Sequence, residues 1–360
     1  MVNQPDLIEW AVESLAVGKP VVILVDDKKQ NASRGELVFS AERATPQLIS
    51  FVVENTTGFL TAPMTQKALA RLEVPPMVAD RGECGDRVAV DATDGIGTGI
   101  SARDRSRTLR VLAHPRSDAT DLRRPGHVIP QAAHTDGVLG YPGVVESAVD
   151  LLKLADMQPA AGCATVTDSL RGDILTVDRA REWAHTHGLA TVTIDDLVLH
   201  RRRSESLTVN AEIRSLAGRF QGFEMRVLSG LADTIEHVAF TYGDARPNGL
   251  SRPAVYLHSG CLAGELLGGS VCWCSTALQS ALETIAMRGR GIVVFLRGGS
   301  PDHLHSLDYA HHLPLEYPYW TAAQVLRECQ VNSGDLLFGS SWAAEQLQRY
   351  GIALDETAIA

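Results

Sequence analysis

Cysteine, basic charge and long apolar runs are all scarce in this chain of 360 residues. Six cysteines, three of them between residues 261 and 274, are too few and too unevenly spread to staple a chain of this length. That excludes a disulfide framework and points to a reducing compartment. Lysine and arginine number 33 against 43 acidic residues, a formal net charge of -10. A protein so charged lacks the concentrated basic face that nucleic acid or anionic lipid requires. No stretch approaches the roughly 18 uninterrupted apolar residues of a spanning helix. The opening MVNQPDLIEWAVES has no basic segment leading into an apolar run. The expectation is a cytoplasmic protein that binds neither nucleic acid nor membrane, with small anions still permitted as ligands.

With 45% apolar residues, the chain has enough to fill two cores. Leu7, Ile8, Trp10, Ala11 and Leu15 recur at helical spacing up to Gly18 and Pro20, and VVILV then reads as a buried strand. TPQLISFVVENT predicts a helix capped by Thr45, DRVAVDA a strand, ARDRSRTLRVLA and VESAVDLLKLA helices, and LATVTIDDLV a late strand. HRRRSES, from residue 200, breaks the periodicity and reads as an exposed linker, so the expected domains are 1–204 and 205–360. In the second, FEMRVLSGL, HVAFTYGD and PAVYLHS read as strands, STALQSALETIAMRGRG as a helix and IVVFLR as a strand. The stretch from Gly298 to Pro318 has four histidines and no clear period, and reads as a long loop.

Several strings, in order along nearly the whole chain, resemble one family: the two-domain riboflavin-biosynthesis proteins that join dihydroxybutanone phosphate synthase to GTP cyclohydrolase II. They include VVILVDD, GELVFSAERATP, GTGISARDRSRT, RRPGHVIP, ESAVDLLKLA, HSGCLAGELLGGSVCWC and ALETIAMRGRGIVVFLR. The resemblance implies an α/β fold of two domains, an N-terminal synthase-like α/β domain and a C-terminal β-rich, zinc-containing cyclohydrolase-like domain. It also implies a homodimer acting on small-molecule, phosphorylated substrates.

Synthase chemistry needs hard oxygen ligands for magnesium and a poised acid/base. The family's acidic loop reads here DDKKQNASRGE, keeping Asp26, Asp27 and Glu36 but not the metal-binding glutamate. Its Gly-His-Thr-Glu motif becomes Gly143, Val144, Val145, Glu146, and its Cys-Glu motif falls on Ala164 and Thr165, to within one residue. Magnesium is therefore not expected. Thr98, Ser101, Arg105, Thr108 and Arg124 remain as candidate substrate-binding residues, with Glu36 and His127 as candidate catalytic groups. The same run has an alternative reading as turn-forming and internally paired residues.

Cys261, Cys272 and Cys274 keep the spacing of the family's zinc site, where three thiolates and a water leave one position open for chemistry. Around them the pattern departs from the family: Tyr256, Leu257, His258, Ser259 and Gly260 precede the first thiol, Ala277 replaces a glutamine, and RGGSPD retains Arg297 alone. The Asp-x-Arg motif falls on Leu315, Glu316 and Tyr317, and no lysine follows Lys153. Glu265, His258 and Arg297 are the candidate catalytic residues near zinc, and His303, His305, His311 and His312 are solvated loop residues or further ligands. Three functions follow. The protein is a zinc enzyme of this lineage with an altered phosphorylated substrate, a scaffold with structural zinc, or an ordinary riboflavin-biosynthesis enzyme. Metal analysis of the purified chain should find one zinc per chain, lost in Cys272→Ser, and a folded wild-type chain without zinc would remove this site.

Overall fold

The computed structural model describes residues 7–27, 32–78, 85–168, 171–204, 213–229, 236–247, 252–260, 273–297 and 319–356. The chain divides into two compact units, Met1–His200 and Arg201–Ala360.

The first unit runs α1 (Leu7–Ala16), β1 (Val21–Asp27), β2 (Ala32–Ser40), α2 (Pro46–Asn55), β3 (Thr61–Thr65), α3 (Gln66–Arg71), β4 (Gly85–Asp86) and β5 (Val90–Ala92). It continues with α4 (Ala102–Ala113), β6 (Leu122–Ala133), α5 (Val144–Leu154), β7 (Ala161–Thr165), α6 (Val177–Thr186) and β8 (Ala190–Thr193), and α7 (Ile194–Ser204) then runs across the division after His200. The sheet order is β4-β6-β3-β7-β2-β1-β8, with β5 pairing β6. Side chains alternate across a strand, so an all-apolar strand must be covered on both faces. Val21, Ile23 and Val25 of β1 pack with α1 and α5 residues, including Leu15, Ala148 and Leu152. Val22 and Leu24 face the other layer, with Ile49 of α2, Leu109 and Leu112 of α4 and Ala180 of α6. Thr45 caps α2 as expected, accepting from the Leu48 N–H, with Pro46 at the first helical position.

Three expectations fail along these elements. LATVTIDDLV is strand only over Ala190–Thr193; α7 then begins, because Thr193 and Asp196 cap each other reciprocally. The Thr-x-x-acid pattern of a capping box outweighs the β-propensity of the flanking residues. HRRRSES is not a linker through Ser204: α7 continues, with Asp195 and Asp196 in its first turn and Arg201, Arg202 and Arg203 in its last. That charge order complements the helix dipole. DRVAVDA, read as one strand, is broken into β4 and β5, each pairing with β6.

The second unit comprises β9 (Ile213–Ser215), β10 (Phe223–Ser229), β11 (Glu236–Tyr242), β12 (Ala254–Ser259), α8 (Cys274–Arg288), β13 (Gly291–Leu296), α9 (Tyr319–Glu328), β14 (Ser333–Leu336), α10 (Ser341–Gln348) and β15 (Ala353–Glu356). The sheet order is β15-β14-β12-β13-β11-β10-β9, parallel from β15 to β13 and antiparallel beyond. Val255, Leu257, Ile292 and Val294 face α9 and α10, while Ala254, Tyr256 and Val293 face Ala277, Ala281 and Ile285 of α8. The 298–318 stretch lies outside the described residues. Among the described residues no helix is long and apolar enough to cross a membrane.

Phe39 of β2 is fully buried, and its ring lies where a Cβ at Gly162 would come within 2.2 Å of it, so only glycine fits on β7 there. Phe39→Ala should cost about 3–5 kcal/mol in urea unfolding, the range for emptying a close-packed aromatic site. A loss below about 1 kcal/mol would mean that the layers do not interlock there.

Candidate functional site

The first cluster is built at the start of α4. Asp91 of β5 is 1% exposed, and a buried carboxylate must be fully bonded to be tolerated. It accepts the His127 backbone N–H at 3.0 Å and lies 2.8 Å from His127 Nδ1, with Arg123 at 3.7 Å. With Nδ1 engaged by Asp91, Nε2 of the exposed imidazole is the ring nitrogen left for another partner. Gly99, at φ +97°, packs so closely that a Cβ would fall 2.1 Å from Asp91 Oδ2 and 2.7 Å from His127 Nδ1. Asp104 accepts the Gly97 and Gly99 N–H groups at 3.2 and 3.0 Å. The Gly99 bond above all holds its carboxyl below the usual range against desolvation, with Gly97, Ser101 and Arg103 helping.

The candidate substrate residues around this cluster are placed as follows. Ser101 caps α4, accepting from the Asp104 N–H at 3.1 Å. Thr108 is buried, donating to the Asp104 carbonyl and accepting from the Ala92 N–H. Arg105, its pKa lowered by burial, donates to the Gly58 carbonyl at 3.0 Å. Arg124 donates to the Leu72 and Glu73 carbonyls, and Thr98 is exposed. Four of the five are thus engaged within the fold. Asp91, which fixes His127, escaped the sequence reading because its partner is 36 positions away.

Glu36 forms a separate cluster. It is 7% exposed, pairs with Arg34 Nε at 2.6 Å, accepts from Thr165 Oγ1 at 3.1 and 3.2 Å, and lies 3.8 Å from Cys163 Sγ. Burial, then the nearby Glu36 charge, pushes the Cys163 thiol well up. Thr165 stands directly opposite Glu36 in the β2–β7 register, and Ala164 opposite Leu37. β2 and β6 are separated by β7 and β3, about 14 Å of sheet, so one chain does not bring Glu36 and His127 into contact. The positions do not fit a divalent cation held as in the family: Val144 offers no lone pair, Thr165 no carboxylate, and Arg34 already neutralises Glu36. Among the described residues no group of three histidine, cysteine or acidic side chains could hold a metal ion.

In the second unit, β12 ends and α8 begins close together. Tyr256 Oη lies 3.5 Å from His258 Nδ1, and the His258 ring stacks on Phe295 with centroids 5.1 Å apart. Burial and then the charge of Cys274 push the Tyr256 phenol up, which places Cys274, half-buried, in the same neighbourhood. The structure thus gathers His258 and Cys274 around Tyr256. A thiolate there fits a zinc ligand, and a bound zinc would supply Lewis-acid activation of water. Arg297, just past β13, pairs with exposed Glu236 at 3.5 Å, worth about 0–1 kcal/mol at such a surface. Cys261, Cys272, Glu265, His303, His305, His311, His312, Leu315, Glu316 and Tyr317 lie outside the described residues.

The two units define a protein of two α/β domains, each with charged groups gathered at strand ends or helix starts. A family profile for 3,4-dihydroxy-2-butanone 4-phosphate synthase matches residues 9–200, and one for GTP cyclohydrolase II matches residues 208–358. The riboflavin biosynthesis protein RibBA of Rhodococcus jostii (strain RHA1) is 42% identical, covering 98% of this chain and 90% of its own. That of Salinispora arenicola (strain CNS-205) is 38% identical, over 96% and 87%. Among solved structures, a two-domain 3,4-dihydroxy-2-butanone 4-phosphate synthase from A. baumannii, RibBX, superposes with a TM-score of 0.69 at 25% identity, covering 98% of this chain and 99% of that one. A 3,4-dihydroxy-2-butanone 4-phosphate synthase in complex with two magnesium ions gives a TM-score of 0.50 at 31% identity, covering 55% of this chain and 97% of that one. The chain belongs to the family of bifunctional riboflavin-biosynthesis proteins.

Glu146, the acid retained from the family's Gly-His-Thr-Glu motif, is 2% exposed on α5 and accepts the His134 N–H at 2.8 Å. Burial raises its pKa, against the His134 and own-residue backbone bonds and the His134 charge, while Asp150 adds to the rise. A raised folded-state value means that the fold favours the protonated form. Its contribution to stability is therefore present below the usual value of 4.5 and is lost as pH rises through the raised one. Glu146→Gln keeps the acceptor without the charge. Between pH 4 and 7 the wild type should lose urea stability relative to this variant, and the opposite trend would refute the burial argument.

Proposed function

We propose that the chain works in riboflavin biosynthesis as a two-unit enzyme, with a sugar phosphate as the substrate of the first unit and GTP that of the second. The observation that carries this is the likeness to the Rhodococcus jostii relative, which runs through both units in order over 98% of the chain. In the first unit the groups able to move protons are Glu36, Glu146 and His127 oriented by Asp91. In the second, Cys261, Cys272 and Cys274 would hold zinc, with Glu265, His258 and Arg297 around it. Domains of 1–204 and 205–360, a cytoplasmic location and a homodimeric assembly belong to the same proposal. So does a small phosphorylated molecule as the partner, with no nucleic acid or membrane.

A second reading is favoured by a specific observation. Val144, Val145 and Thr165 stand where the family carries polar or acidic groups, and Arg34 occupies the Glu36 carboxylate. These changes bear on the reaction rather than the lineage, and fit an enzyme that acts on a different phosphorylated metabolite. Formate release from ribulose 5-phosphate with magnesium, and separately from GTP with zinc-loaded protein, decides between them. The first reading expects formate from both. Formate from neither, with the chain folded and zinc bound, replaces it by the second, to be pursued with a panel of phosphorylated sugars and nucleotides.

A further inference from the structure

A cavity of about 500 Å³ opens at the C-terminal end of α4, lined by Arg107, Arg110, His114 and Arg116 together with Glu42 and Asp121. Its volume falls in the ordinary range for small-molecule sites. Asp91, Gly99, Asp104 and His127 are not among the residues that line it. Three guanidinium groups in one cleft of a chain with a formal net charge of -10 call for a physical reason.

Helix C-termini attract cations to their unsatisfied carbonyls. Here that role is already filled from another element, because Arg71 Nη1 of α3 donates to the carbonyls of His114, Pro115 and Ser117, the first at 2.9 Å and the last at 2.8 Å. Arg107, Arg110 and Arg116 form no ion pair with the cleft's carboxylates. Asp121 is turned to its own loop, where Oδ2 accepts the Asp118 N–H at 3.0 Å in a capping box. Glu42 is left as the anion facing the guanidinium groups, and His114 Nδ1 accepts the Arg116 N–H at 3.2 Å, which joins that loop to the end of the helix. Guanidinium forks match phosphate oxygens in pairs, and several together select a multiply charged anion over chloride.

We infer that this cleft is a phosphate-binding site, sharing no lining residue with the Glu36 and His127 clusters, that takes the phosphate or diphosphate group of a small metabolite through Arg107, Arg110 and Arg116. The test is calorimetric titration of the full-length, zinc-loaded chain with inorganic phosphate, pyrophosphate and sulfate. Pyrophosphate should bind saturably, one per chain, and more tightly than phosphate or sulfate. The Arg110→Ala/Arg116→Ala double variant should weaken it at least tenfold, and Arg116→Ala alone, a loop substitution, serves if the double variant fails to fold. Glu42→Gln, which removes the facing negative charge, should tighten binding several-fold, whereas Arg181→Ala on the exposed side of α6 should leave it unchanged. Overturning results are a wild type without saturable binding, binding retained in both arginine variants, or a Glu42→Gln variant that binds no better.

Discussion

The close approach of the Gly99 backbone to the Asp91 carboxylate is the constraint around which the first cluster is organised. A carboxylate this deeply buried costs several kcal/mol unless its oxygens are bonded. His127 supplies two of the contacts, from its backbone and its ring, and the glycine leaves space for both. Once Gly99 is held there, its N–H points to Asp104, whose own N–H is capped by Ser101 and whose carbonyl takes Thr108. The string GTGISARDRSRT is therefore one hydrogen-bonded unit that starts a helix and fixes an imidazole. Its polar residues serve the backbone first, and the outward face of His127 is what remains for chemistry.

Most of the fold was legible because its signals are local. VVILV, the Thr45 cap and the apolar periods of α4 and α5 need no distant partner to be read. The errors at 190–204 arose where two local signals compete: β-branched residues argue for strand, but the Thr193–Asp196 reciprocal cap closes the strand and opens α7. Site chemistry was less legible. Asp91 reads as an ordinary strand acid until β5 is paired to β6, which brings His127 beside it. The gathering of Tyr256, His258 and Cys274 likewise depends on how β12 and α8 pack, which residue spacing does not encode.

The same distinction explains how extensive identity coexists with altered motifs. The layers are specified by many apolar positions whose effects are spread and additive, such as the Val21–Val25 alternation or the Phe39–Gly162 fit. A metal or a substrate is held by a handful of polar atoms, and exchanging those leaves the layers in place. Val144 illustrates this: partly buried, it packs against the core around α5, so a side chain without a lone pair fits there.

Glu36 shows how the sheet keeps a buried acid. A buried carboxylate without a partner would be left with uncompensated charge, a loss on the order of 3–5 kcal/mol when one partner of a buried pair is removed. Arg34 Nε, 2.6 Å away, supplies the opposite charge from the same strand face, two residues upstream. Thr165, directly across the ladder, supplies a hydroxyl to both oxygens where a second carboxylate would repel. The three residues make physical sense together and not singly. With its charge met by Arg34 and its lone pairs by Thr165, Glu36 is bonded within the sheet as a buried carboxylate must be.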